Sequence, residues 1–150
     1  MPTPIKDPKE FLTMSGEQLD EIFRNSPAGE IPREKGEGTA IVAPGTKATG
    51  ILARLVKHSS WQGKVFDPEK GQLINLTGIS GRKRIVAKVY KDKSWFDGKE
   101  CIVLDYSKTS VLAKKIRDEI REVSPGIYLG IVYWGKKKLI HFALKFPASA

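Results

Sequence analysis

The chain has a single cysteine, Cys101. No intrachain disulfide can form from it, and no thiolate cluster for zinc can be assembled. Histidine is almost as scarce: His58 and His141 lie far apart, and neither sits in a ligand-spaced motif. No metal site and no cofactor is expected on that basis. The sequence contains no Walker A run, no Gly-x-Gly-x-x-Gly between a strand and a helix, and no serine in a nucleophile elbow. Nucleotide-dependent and covalent chemistry are therefore disfavoured, and no residue is assigned a catalytic role. Cys101 itself stands in the apolar run Cys101-Ile102-Val103-Leu104, where a thiol behaves as a small core residue. No apolar stretch approaches the roughly 20 residues of a membrane-spanning helix. Residues Met1 to Pro8 lack the apolar segment of a signal peptide. Together with the lone cysteine, these absences lead to the expectation of a cytoplasmic protein.

What the chain does have is positive charge. Its 26 Lys and Arg stand against 17 Asp and Glu, a formal charge of +9. Such an excess raises the local concentration of anionic partners, whether nucleic acid, anionic lipid or an acidic metabolite. Along the sequence the charge is scattered, with Lys136-Lys137-Lys138 in a turn and Arg82-Lys83-Arg84 ahead of a strand. Scattering of this kind reads first as a solvated surface. With 40% hydrophobic and 29% charged residues the composition is globular. A chain of this length buries roughly 70% of its unfolded surface, enough for one core. The division expected is an extended, proline-rich lead-in over 1–14 and a single domain over 15–150.

Ser15-Gly16-Glu17-Gln18 has capping-box spacing, and Leu19, Ile22 and Phe23 follow at helical intervals, so a helix is expected over about residues 16–24. Residues 28–38 read as a loop before a strand at Thr39–Val42. Residues 48–58 lean towards helix. Strands are expected at 64–66, 72–76, 84–90, 100–106, 127–134 and 139–146, with Asp97-Gly98 as a tight turn. Ser110 is placed to cap a second helix, in which Leu112, Ile116, Ile120 and Val123 recur at intervals of four, four and three. Six or seven strands with short links are too many for a flat two-layer sheet. The fold class is therefore mainly β, a small antiparallel barrel with short flanking helices, and a barrel of about eight strands has room for one small ligand.

Strict alternation along the last strand puts Ile140, Phe142, Leu144 and Phe146 on an apolar face and His141 on the polar one. The densest ionisable cluster, Arg117-Asp118-Glu119 with Arg121-Glu122, forms an ion-pair lattice if helical. In the functional reading Asp105, Tyr106, Arg117 and Asp118 converge at a cavity mouth, where an arginine held by a carboxylate binds an anionic group.

Several of these elements resemble, in their order, the GXWXG-type domains, a lipocalin-like (calycin-like) group. They are the early helix; Ser59-Ser60-Trp61-Gln62-Gly63-Lys64-Val65-Phe66; Asn75; Leu104-Asp105-Tyr106-Ser107; Ile116-Arg117-Asp118-Glu119-Ile120-Arg121; and Tyr128-Leu129-Gly130 ahead of Phe142-Ala143-Leu144. Ser59 stands where the name-giving motif has its first glycine. The resemblance implies a calycin-like β-barrel with Trp61 near its base, and it implies no particular reaction. The function expected is the binding of a small hydrophobic or amphipathic ligand, with or without an anionic group, through Trp61, Tyr106, Arg117 and Asp118. Two alternatives stand beside it. One is an enzyme using Asp105, Tyr106 or Asp118 as acid or base. The other is a basic barrel that binds nucleic acid.

Overall fold

The computed structural model describes residues 4–41, 63–77, 83–108 and 115–147. After a 3-10 helix at Pro8–Thr13 and helix α1 at Gly16–Arg24 come eight strands: β1 Glu34–Ile41, β2 Gly63–Asp67, β3 Gln72–Thr77, β4 Lys83–Lys93, β5 Glu100–Asp105, β6 Ile116–Ser124, β7 Ile127–Trp134 and β8 Lys137–Lys145. Each strand pairs antiparallel with its sequence neighbours, and β1 pairs with β8 to close a barrel. The mainly β barrel expected from the sequence is observed. Helix α1 forms as predicted, with Ser15 accepting from the Gln18 N–H at 3.1 Å and Gln18 accepting from the Ser15 N–H at 2.8 Å.

Two expectations are corrected. The segment read as a second helix is strand β6 from Ile116 onward; the proposed cap Ser110 and Leu112 lie outside the described residues. Among the described residues, both short helices precede the barrel. The loop expected over 28–38 gives way to β1 at Glu34, because β2 and β8 supply hydrogen-bonding partners that a sequence poor in apolar residues did not advertise. The helix leaning of 48–58 also falls outside the described residues.

Two apolar layers surround the wall. Inside lie Phe66, Leu73, Ile102, Leu104, Ile120, Phe142 and Leu144. Outside, Phe11 of the 3-10 helix and Leu19 and Phe23 of α1 cover Cys101, Val103, Leu129, Ile131 and Ala143. This is why β7 reads as a nearly unbroken apolar run: a strand buried on both faces has no polar side to alternate. It is also why His141 is buried. Alternation holds, and His141 does face away from the interior, but α1 covers that face and His141 Nε2 lies 2.8 Å from Asp20 Oδ1.

The two ends of the barrel differ. At the lower end Phe66 and Tyr128 each pack edge-on against Phe146, with ring centroids 5.6 and 5.5 Å apart. Ala28 joins them, and the Tyr128 hydroxyl donates to the Glu30 carbonyl at 2.6 Å. The connections 42–62, 78–82, 106–115 and 135–136 all leave from the opposite, upper end.

Candidate functional site

The inner face turns polar towards the upper end. On β2, Lys64 shares the inner face with Phe66, and the register sets it opposite Asn75 of β3, itself opposite Ile85 of β4. Tyr106 follows the end of β5, and Asp118 is the third residue of β6. Lys64 Nζ donates to the Tyr106 hydroxyl at 2.6 Å and lies 3.4 Å from Asp118 Oδ2. Its ammonium also sits 5.2 Å from the Tyr106 ring centroid and 5.5 Å from that of Phe142. All three polar residues are under 5% exposed. Gly130, directly across from Phe142, makes room for that ring: a Cβ at 130 would stand 2.3 Å from it.

Burial dominates the electrostatics. It pushes the Asp118 carboxyl up, partly offset by Lys64, and pushes the Lys64 ammonium down, partly offset by Asp118. Burial, reinforced by the Asp118 charge, raises the Tyr106 hydroxyl well above its ordinary value. Asp118 Oδ1 is buried with no hydrogen-bond partner among the described residues. An orphan of this kind costs about 1–3 kcal/mol, more for a charged group. A donor brought into the interior would meet an acceptor already desolvated and aimed.

Of the residues expected from sequence, Tyr106 and Asp118 come together, joined through Lys64. Arg117 does not join them. It neighbours Asp118 on a strand, so the two side chains point to opposite faces of the wall. Outside, Arg117 donates to Glu119 at 2.9 Å and to the Lys93 carbonyl at 2.9 Å, with its guanidinium 4.2 Å from the Trp95 ring centroid. Asp105 also faces outward, accepting from the Tyr90 hydroxyl and the Ser107 N–H, each at 2.9 Å. The expected convergence of Asp105, Tyr106, Arg117 and Asp118 on one cavity is thus replaced by two clusters on opposite faces. Trp61 lies outside the described residues.

The outer cluster is a clasp. Fully buried Glu119 accepts from Ser94 Oγ at 2.6 Å and the Trp95 N–H at 2.8 Å. Arg121, also buried, makes a two-pronged pair with Asp97 at 2.7 Å and donates to the Phe23 carbonyl at 2.9 Å. It binds the β4–β5 turn and the end of α1 to β6, and every charge in it is spent on the fold.

Lys64 escaped the sequence reading because an isolated lysine is by default exposed. Its signal was positional: two residues before Phe66, it shares that residue's face. The same rule places Asn75 inward with Leu73.

No protein-family model matches this chain, and no curated protein matches it. A solved structure, described as the crystal structure of a protein from Thermomonospora curvata, is similar with a TM-score of 0.65 at 13% identity, over 93% of this chain and 92% of that one, a likeness in fold alone.

Proposed function

We propose that the barrel binds a small hydrophobic or amphipathic molecule, with its polar end at Tyr106, Asp118 and Lys64 and its apolar body among Ile85, Ile116, Val132 and Phe142. The observation that carries this reading is Asp118 Oδ1, a buried acceptor with no donor among the described residues. It favours a ligand that donates a hydrogen bond, such as an alcohol, amide or amine. Apolar surroundings with a few convergent polar groups are the usual make-up of a small-molecule pocket. An anionic ligand is less favoured, since Arg117 is turned outward and Lys64 already faces Asp118.

Fluorescence of N-phenyl-1-naphthylamine, an apolar probe with one N–H donor, tests this. Its emission is expected to rise on mixing with the protein and to fall when dodecanol, but not dodecane, competes. Asp118→Asn replaces one carboxylate oxygen with a donor and is expected to weaken dodecanol about tenfold, the value of one charged hydrogen bond. No rise with the wild type, or equal competition by dodecane, would sink the proposal. An enzymatic reading rests on the same three groups, and chemical change in recovered dodecanol distinguishes it.

A further inference from the structure

The upper end carries a second feature, independent of any ligand inside. Its four connections, 42–62, 78–82, 106–115 and 135–136, contain eight Lys and Arg and no Asp or Glu. The three at the lower end, 68–71, 94–99 and 125–126, contain two basic and two acidic residues. Among the described residues, the up-and-down topology brings Lys108 and Lys115 of one connection to the same end as Lys136 of another. Among the described residues there, Lys108, Lys115, Lys136 and Lys137 are exposed, and Trp134 is 45% exposed beside them. Trp134 stands opposite Ile116 and Lys137 in the ladder, and the Gly135 N–H donates to the Lys115 carbonyl at 2.8 Å. That bond fixes two of the connections as one rim.

We infer that this rim docks on an anionic phospholipid surface, with Lys108, Lys115, Lys136 and Lys137 facing the headgroups and Trp134 entering the interface. Charge complementarity argues for it: lysines close to an anionic leaflet each add about fivefold in affinity. An exposed tryptophan flanked by lysines has the amphipathic ring suited to headgroup depth. Nucleic acid fits less well. A single-strand binder stacks successive bases on several aromatic platforms. Here the other exposed tryptophan, Trp95, lines a surface hollow with Tyr133 and Lys136, but its ring is taken up by Arg117 at 4.2 Å and by Tyr133 edge-on, which leaves Trp134 among the described tryptophans to meet a partner.

Co-sedimentation with phosphatidylcholine vesicles, with and without phosphatidylglycerol, tests the inference using two charge-matched variants. Lys115→Glu/Lys136→Glu/Lys137→Glu alters the rim; Lys6→Glu/Lys35→Glu/Lys145→Glu makes the same charge change at exposed positions near the lower end, where the Ile5 carbonyl accepts from Ser124. The wild type is expected to pellet only with phosphatidylglycerol present and to be released by salt. The rim variant should lose about a hundredfold in affinity, and the lower-end variant should keep most of it. Equal loss in both would reduce the effect to net charge and overturn the inference, as would no pelleting of the wild type. Tighter salt-matched binding of a single-stranded oligonucleotide, lost in the same rim variant, would give the surface to nucleic acid instead. Should the rim variant misfold, Trp134→Phe decides the matter: a vesicle-induced blue shift of the emission should disappear in it, and a shift that persists counts against docking.

Discussion

At the scale of single residues, close backbone approach places the sharpest demands. Gly63 opens β2 with φ +108°, and a Cβ there would stand 2.1 Å from the Gly36 carbonyl oxygen, a backbone atom that no rotamer can move. Gly98 also has positive φ, at +76°, but open space around it. Gly98→Ala is expected to cost about 1 kcal/mol, the strain of a left-handed residue. Gly63→Ala adds a collision between paired strands, and a loss of more than about 3 kcal/mol is expected. Equilibrium urea denaturation measures both, and equal losses would contradict this account of the β1–β2 contact. At this scale the sequence was informative where side chains are unusual for their setting. Tyr106 and Asp118 were singled out and do meet, and Asn75 faces the same interior. Lys64, which joins them, was passed over because a lysine inside a barrel makes sense only once its partners are known to be there.

At the scale of elements, β6 is the instructive case. Ile116, Ile120 and Val123 satisfy a helical stripe, yet Ile116, Asp118 and Ile120 equally satisfy a period of two, with Arg117, Glu119 and Arg121 on the other side. Local periodicity cannot decide between these; the pairing of β6 with β5 and β7 does, and that information is non-local. The misreading of the site followed from the misreading of the element. On a helix Arg117 and Asp118 can flank one cavity mouth, but on a strand they cannot share a face. What β6 does outside the barrel is structural, and Arg121–Asp97 is its centre. The Arg121 hydrogen bonds hold the Asp97 carboxyl below its ordinary value. A carboxyl depressed in the folded state contributes stability in full above its unfolded value near 4, and that contribution is lost as pH falls through the folded value. Asp97→Asn should therefore be less stable than wild type by about 3 kcal/mol at neutral pH, since Arg121 keeps a buried charge with less compensation. The gap should begin to narrow as pH falls below about 4 and close only below the lowered folded value, where the folded wild-type carboxyl is itself protonated. Thermal unfolding of both proteins across that range checks the prediction; a gap that does not change with pH would remove the ion pair from the account.

At the scale of the whole molecule, the strand count and turn chemistry were enough to predict closure, because many short antiparallel strands have few other ways to cover their edges. The asymmetry of the ends was not legible in the same way. Which turns share an end depends on the parity of the strands between them, and one strand read as a helix reverses every assignment after it.

Closure also has a consequence in time. The seam pairs Glu37–Ile41 with His141–Lys145, segments about 100 residues apart, so the entropy of bringing them together must be met before their hydrogen bonds give anything back. The β6–β7–β8 hairpins need only short loops and can form first. Ile41→Val, on the seam, is expected to speed unfolding and leave refolding nearly unchanged, whereas Ile131→Val, between β6 and β8, should slow refolding. Stopped-flow rates for the pair would read the order of events directly, and matching effects would mean the ring closes in one step. If the seam is last, the protein passes through a curled, open sheet with β1 and β8 as bare edges, and each newly made chain is exposed to edge pairing with its neighbours until the ring shuts.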